Sequence, residues 1–113
     1  MAITFLKMFD AIQVSSGVDV VYTVPNAPNT TILRNGRVRF SNTTAGAVTV
    51  KAWAVPSGGS AVDSTVCLPS TSISANAYID VDIPVLSAGG TFRAQAGAAS
   101  SVTVANLDGF LQS

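Results

Sequence analysis

Arg37 and Arg39 stand two residues apart, as do Asp80 and Asp82, and both pairs lie in stretches that alternate polar with apolar residues. In an extended strand this spacing puts each pair on one face, its members about 6.5–7 Å apart. Arginines set in this way form a clamp for phosphate or carboxylate, because the planar guanidinium matches such groups with two parallel hydrogen bonds. Two carboxylates at that spacing suit a calcium ion with added carbonyls, or the acid and base of a glycosidase. A plainer reading pairs the two sets with each other across neighbouring strands, or with charges on another subunit.

The rest of the chemical equipment is thin. The chain has no His and no Glu, all six acids are Asp, and Cys67 is the one Cys among 113 residues. Acid–base catalysis near neutrality draws on His or on carboxylates with perturbed pKa values, and metal sites draw on His, Cys and clustered acids. Cys67 lies between Val66 and Leu68 with no His to activate it, so it reads as a small buried hydrophobe. These residues describe a protein that is not an enzyme, uses no cofactor or metal, and works by shape and assembly.

Trp53 offers a different chemistry. Residues 47–55 alternate, with Val48, Val50, Ala52 and Ala54 on one face and Thr49, Lys51, Trp53 and Val55 on the other. A tryptophan there stacks on a sugar ring, anchors an interface, where Trp and Arg concentrate, or simply packs within the fold. The N-terminal stretch concentrates large apolar side chains: Ile3, Phe5, Leu6, Met8 and Phe9. Such an edge either closes the sandwich or pairs with a neighbouring subunit by strand addition, and left bare it would aggregate. Leu107, Phe110 and Leu111 near the other end are its expected partners. The interface candidates are therefore Ile3, Phe5, Phe9, Arg37, Arg39, Trp53 and Phe110.

The elements that position these residues are strands. Gly17 to Val24 is β-branched and ends at Pro25, where the Pro-Asn-Ala-Pro-Asn segment 25–29 makes a turn. Residues 30–42 read as one long strand with a bulge at Gly36, or as a hairpin turning on Asn35-Gly36. The Pro-Ser-Gly-Gly-Ser loop 56–60 follows the Trp53 strand, and 65–68 is a short strand closed by Pro69. Residues 78–85 alternate cleanly, Ile79, Val81 and Ile83 opposing Tyr78, Asp80 and Asp82. In 91–96, Phe92, Ala94 and Ala96 oppose Arg93 and Gln95, and a last strand runs from 101 to about 111. Seven to nine short strands with turns at this spacing describe an all-β fold, a single antiparallel β-sandwich that is jelly-roll-like or immunoglobulin-like.

Length and charge bound the organisation. At 11.5 kDa the chain reads as one domain, 1–113, with 1–14 an edge strand or an intersubunit arm. Six basic and six acidic residues cancel, so the basic surplus that nucleic-acid binding relies on is missing. No apolar run approaches the roughly 20 residues that span a bilayer. Lys7 and Asp10 interrupt the opening apolar run, which reads as a first strand rather than a signal peptide, and the protein as one made in the cytoplasm. Charged residues are 11% of the chain, less than half the usual share. So sparsely charged a surface suits a protein covered by copies of itself or by a larger particle.

Four stretches taken together resemble the small virion proteins of tailed bacteriophages. They are Tyr22-Thr23-Val24-Pro25, the Ser-Asn-Thr-Thr-Ala-Gly-Ala-Val-Thr-Val run 41–50, the Val-Pro-Ser-Gly-Gly-Ser-Ala run 55–61, and the Ala-Gly-Gly-Thr-Phe-Arg-Ala-Gln-Ala run 88–96. The resemblance covers residues 22–104 and lies in the succession of strands and turns; it brings no catalytic residues. It implies a β-sandwich of the head, neck or tail, located in the virion and synthesised in the bacterial host. The expected role is capsid decoration or cementing, with homo-oligomers (trimers or larger) attached to the major capsid protein. The alternative is a tail, neck or fibre component, such as a glycan- or receptor-binding module contacting its ligand through Trp53 and Lys51.

Overall fold

The computed structural model describes residues 3–5, 9–26, 31–98 and 101–112, with side chains from residue 9 onward except that of Asp108. Among these, the strands are β1 (Ile3–Phe5), β2 (Ile12–Val14), β3 (Asp19–Thr23), β4 (Ile32–Asn42), β5 (Val48–Val55), β6 (Val66–Ile73), β7 (Tyr78–Ile83), β8 (Leu86–Ser87), β9 (Thr91–Ala96) and β10 (Val102–Gln112). A single 3-10 turn, Asp63–Thr65, precedes β6. Of the expected turns, residues 27–29 and 99–100 lie outside the described residues, as do the side chains of Ile3, Phe5, Leu6 and Met8.

Two antiparallel sheets pack face to face. Sheet A has the order β1-β10-β4-β7, with β2 also on β10 and β8 also on β4; sheet B has the order β3-β9-β5-β6. The pairings are nested: β2 with β10, β3 with β9, β4 with β7 and β5 with β6. The chain is thus one long antiparallel hairpin wrapped around itself, with β5–β6 at its closed end. This is the strand plan of a jelly roll, which settles the choice between the two sandwich layouts. The ten segments reduce to eight jelly-roll strands, because β1 and β2 share one edge of β10, and β7 and β8 share one edge of β4.

The alternation of apolar residues dictates the core. Val38 and Phe40 of β4, Val81 and Ile83 of β7, and Val102 and Val104 of β10 point inward from sheet A. Val50, Ala52, Phe92, Ala94 and Ala96 meet them from sheet B. The rings of Phe40 and Phe92 lie 6.3 Å apart, tilted by 39°, across the sandwich. Fully burying each such side chain contributes about 2–3 kcal/mol. One buried polar residue ties the sheets together. Asn42, at the end of β4, donates to the carbonyls of Gly46 (2.7 Å), Ile73 (3.0 Å) and Ser74 (3.2 Å), and its Oδ1 accepts from the Thr44 amide (3.0 Å).

Residues 32–42 form one continuous strand with a bulge, not a hairpin. Against β10 the register slips between Asp108 and Phe110, and Asn35 takes the left-handed conformation there (φ 54°). Gly36 beside it lets β7 approach, since a Cβ at this position would sit 3.1 Å from Ile83 Cβ.

Two expectations are corrected. Pro69 does not close a strand, because β6 continues through it to Ile73. The strand is the edge of sheet B, and its register against β5 slips between the Thr71 and Leu68 pairings, so Pro69 sits in a bulge where its missing N–H costs nothing. The N-terminal stretch forms two strands rather than one. β2 lies on Val102–Val104 and β1 on Phe110–Gln112, while β10 kinks between them, with register slips either side of Asp108 and φ 145° at Gly109. A single straight strand cannot follow that kink.

Candidate functional site

The two arginines and two aspartates meet as neighbours. The antiparallel register of β4 and β7 sets Arg37 opposite Asp82 and Arg39 opposite Asp80, all on the outer face of sheet A. Arg39 binds Asp80 with both carboxylate oxygens, Nε to Oδ1 at 2.8 Å and Nη2 to Oδ2 at 3.2 Å, and its guanidinium lies 4.0 Å from the centre of the Tyr78 ring. Arg37 is held more loosely, 3.4 Å from Asp82 and 3.8 Å from Asp80. The hydrogen bond from Arg39 lowers the Asp80 pKa below the ordinary carboxylate value; burial opposes it, and the Arg39 and Arg37 charges add to the lowering. The same bond raises the Arg39 pKa. Of the readings drawn from spacing, cross-strand pairing is the one the geometry supports. A carboxylate so paired is a poor proton donor or acceptor near neutrality. Among the described residues, no group of three or more His, Cys, Asp or Glu comes together to hold a metal.

Of the readings of Trp53, ordinary packing is the one its burial supports. The residue lies on the outer face of sheet B, as the alternation indicates, but it is only 5% exposed. It is not part of the core between the sheets. The chain that continues its own strand returns beside it. The 3-10 turn at 63–65 packs on β5, Asp63 lies 3.8 Å from Lys51 Nζ, and that ammonium sits 5.4 Å from the centre of the Trp53 ring. The Thr65 hydroxyl pins the covering loop: it accepts from the Val62 amide at 3.1 Å and faces the Ser60 and Val62 carbonyls at 2.9 and 3.0 Å. Val55, the next outward residue, is buried as well. Trp53 therefore has no ring face to offer a sugar. Alternation fixes which side of a sheet a residue takes; whether a loop then closes over it is decided elsewhere in the chain.

The terminal candidates pair within the chain. Ile3, Thr4 and Phe5 stand opposite Gln112, Leu111 and Phe110. Phe9 packs against the core, its ring 6.3 Å from that of Tyr22. Burial raises the pKa of the Tyr22 hydroxyl. Cys67 is half-buried beside Leu68, both packed against the core. Burial pushes its thiol up to about 11, so it is protonated and unreactive near neutral pH.

Two open clefts flank the Pro84-Val85 segment. One, of about 400 Å³, is lined by Ala54, Pro56, Val66, Cys67 and Leu86 among others; the second, of about 450 Å³, lies between Asn35–Arg37 and Asp82–Val85. Sequence reasoning did not single out Val85, which is 61% exposed between them. The sign that could have flagged it is Pro84, which ends β7 before Val85 can take the inward place that the alternation of Ile79, Val81 and Ile83 would give it.

No protein-family model matches the chain, and no curated protein matches it. Among solved structures, it is similar to a chain in the structure of infectious bursal disease virus, Gx strain, at 13% identity and a TM-score of 0.49. A chain in the Gt-strain structure of the same virus is similar at 8% identity and a TM-score of 0.41. Each likeness covers 97% of the present chain but only 31% and 32% of the viral chains, so it spans about a third of their length.

Proposed function

We propose that this protein is a structural component of a virus particle, and specifically a decoration or cementing protein on the capsid of a tailed bacteriophage. The observation that carries this reading is the outer face of sheet A. Its charged groups neutralise one another in an exposed ladder, Arg37 and Arg39 against Asp80 and Asp82, with the Arg37–Asp82 pair bordering the second cleft. Such a face is made for contact, not for chemistry. The reading is supported by the resemblance of segments 22–25, 41–50, 55–61 and 88–96 to phage virion proteins. The jelly roll adds the weaker support of analogy, since viral capsid domains use it, as do lectins and cupins. A protonated thiol at Cys67 and an ion-paired carboxylate at Asp80 point the same way.

In this role the protein self-associates and bridges neighbouring capsomers through flat sheet faces and short polar loops. About 800 Å² buried per partner makes one such contact stable, and forces on the shell must break many contacts together. Its partners are copies of itself and the major capsid protein; it is synthesised in the cytoplasm of the host and resides in the virion. A glycan-binding fibre module contacting sugar through Trp53 is not favoured, because that ring is covered.

Electron microscopy of purified particles with gold-labelled antibody tests the proposal. Label over heads is the expected result. Label confined to neck or tail transfers the protein to a connector or fibre role, and unlabelled particles overturn the virion assignment.

A further inference from the structure

Two steric demands meet at one point of sheet A. Asn35 takes left-handed backbone (φ 54°), a conformation that Asn, Asp and Gly tolerate and most other residues avoid. The residue after it has no room for a side chain, since a Cβ at Gly36 would sit 3.1 Å from Ile83 Cβ and 3.2 Å from its Cδ1. Packing thus selects Asn followed by Gly, and this is the one such pair in the chain; every other asparagine precedes Ala, Thr or Leu. Asn-Gly is also the pair in which a side-chain amide is most readily lost, because no side chain on the second residue hinders attack by its nitrogen.

Asn35 also lies where β4 is held least. Against β10 the ladder passes from Arg34 and Phe110 to Arg37 and Asp108. On the other side, β8 pairs with Ile32 and Leu33, and β7 begins at Gly36. Asn35 therefore has a cross-strand partner in neither ladder; it is exposed, and it lines the second cleft with Arg37 and Asp82. A segment bound so sparsely opens locally far more often than the whole fold does.

We propose that Asn35 is a site of spontaneous deamidation, shut in the resting bulge and reached when the bulge opens. At the typical left-handed ψ of about +47°, the Gly36 nitrogen points away from the Asn35 Cβ, so the ring cannot close in place. Once the segment opens and that bond rotates, hydroxide takes the Gly36 amide proton and the nitrogen attacks Asn35 Cγ. The Cγ–Nδ2 bond breaks, ammonia leaves with a proton from water, and a five-membered succinimide remains. Water then breaks one of the two carbonyl bonds to the Gly36 nitrogen. Cleavage at Cγ leaves aspartate; cleavage at the main-chain carbonyl leaves isoaspartate, whose backbone runs through Cβ and Cγ. In balance, one amide and one water give one carboxylate and one ammonium, and nothing is oxidised.

The two products differ in fit. Aspartate tolerates the left-handed bulge, and its carboxylate shares a cleft with Arg37, whose present partners stand at 3.4 and 3.8 Å. Isoaspartate adds a main-chain carbon beside the close approach to Ile83. Either product takes the chain from neutral to a net negative charge, so the sheet face gains acid with age. The inference is independent of any place in a virion.

Ageing of the purified protein tests it. Wild type and Asn35→Gly, which accepts left-handed backbone, are held in mildly alkaline buffer below the melting temperature, with and without unfolding guanidinium chloride. Ion exchange counts acidic species against unaged protein, and mass spectrometry of the chymotryptic peptide 34–40 locates them. The folded wild type is expected to gain acidic species carried by that peptide, at a rate that rises with hydroxide. Unfolding should speed the gain at least ~10-fold, and Asn35→Gly should show none. If peptide 34–40 stays intact in the folded wild type while it converts in the unfolded one, the site is closed and the proposal fails. Acidic species that map to another asparagine overturn it too, and equal rates in folded and unfolded protein overturn the gating. The folded wild type decides the site even where the variant does not fold.

Discussion

On the outer face of sheet A, Tyr78, Arg37 and Asp82 stand in solvent; on the outer face of sheet B, Trp53 and Val55 are buried. Both faces are built from the same device, a strand whose alternate residues point away from the core. What separates them is the connection that follows. β7 runs into Pro84-Val85 and moves on to β9 through β8, leaving its face bare. β5 runs into a loop whose 3-10 turn packs back on the strand, where Asp63 pairs with Lys51 and the Lys51 ammonium lies over the indole. A face covered by its own chain contributes to the stability of the fold. A face left open, with its charges already paired, contributes little to that stability and remains available to another molecule.

The contrast predicts unequal costs. Trp53→Ala should destabilise the protein by about 3 kcal/mol, since it empties a covered apolar site, whereas Tyr78→Ala on the open face should cost about 0.5 kcal/mol. Urea unfolding of the two variants measures both; equal losses would erase the distinction between the faces. Next in size is Thr65→Val, which removes the hydroxyl that holds the cover down and should cost about 1 kcal/mol. Trp53 is the only tryptophan, so its fluorescence reports the cover directly. The emission should shift to the red in the Thr65 variant and stay in place in Tyr78→Ala.

The smallest effect belongs to the ladder and to acid. The folded-state pKa of Asp80 is depressed, principally by its hydrogen bond from Arg39. Its contribution is therefore present above the unfolded carboxylate value, about 3.9, and is lost as pH falls through the lower folded value. Melting temperatures of the wild type and of Asp80→Asn should converge as the pH is taken from 6 to 3. A constant gap between the two curves would show that the pairing does not contribute to stability.

Much of this was legible in the sequence. Periodicity of two assigned the inner and outer faces of β5, β7 and β9, because a strand has no other way to bury valines while solvating aspartates. The matched spacing of Arg37/Arg39 and Asp80/Asp82 pointed to their cross-strand pairing. The cover over Trp53 was not legible, since it depends on where a Gly-rich loop lands rather than on any local period. The passage of β6 through Pro69 was hidden for a related reason: proline is forbidden inside a sheet but not in a bulge at its edge, and edge position is a property of the whole topology. The kink of β10 at Gly109, which divides the N-terminal stretch into β1 and β2, likewise belongs to the partner strand.

The place of β10 has a consequence in time. It is the last strand, yet it lies inside sheet A, between the two earliest strands and β4. No stretch of the chain can complete that sheet before residues 102–112 have arrived, and the pairs they make with residues 3–5 and 12–14 are among the most distant in sequence. Closing such long loops slows folding, so a topology dominated by them belongs to the millisecond-to-second class. During synthesis, the bare edge of β4 waits unpaired until residues 102–112 emerge, and that interval is when the protein is most open to pairing with the wrong strand.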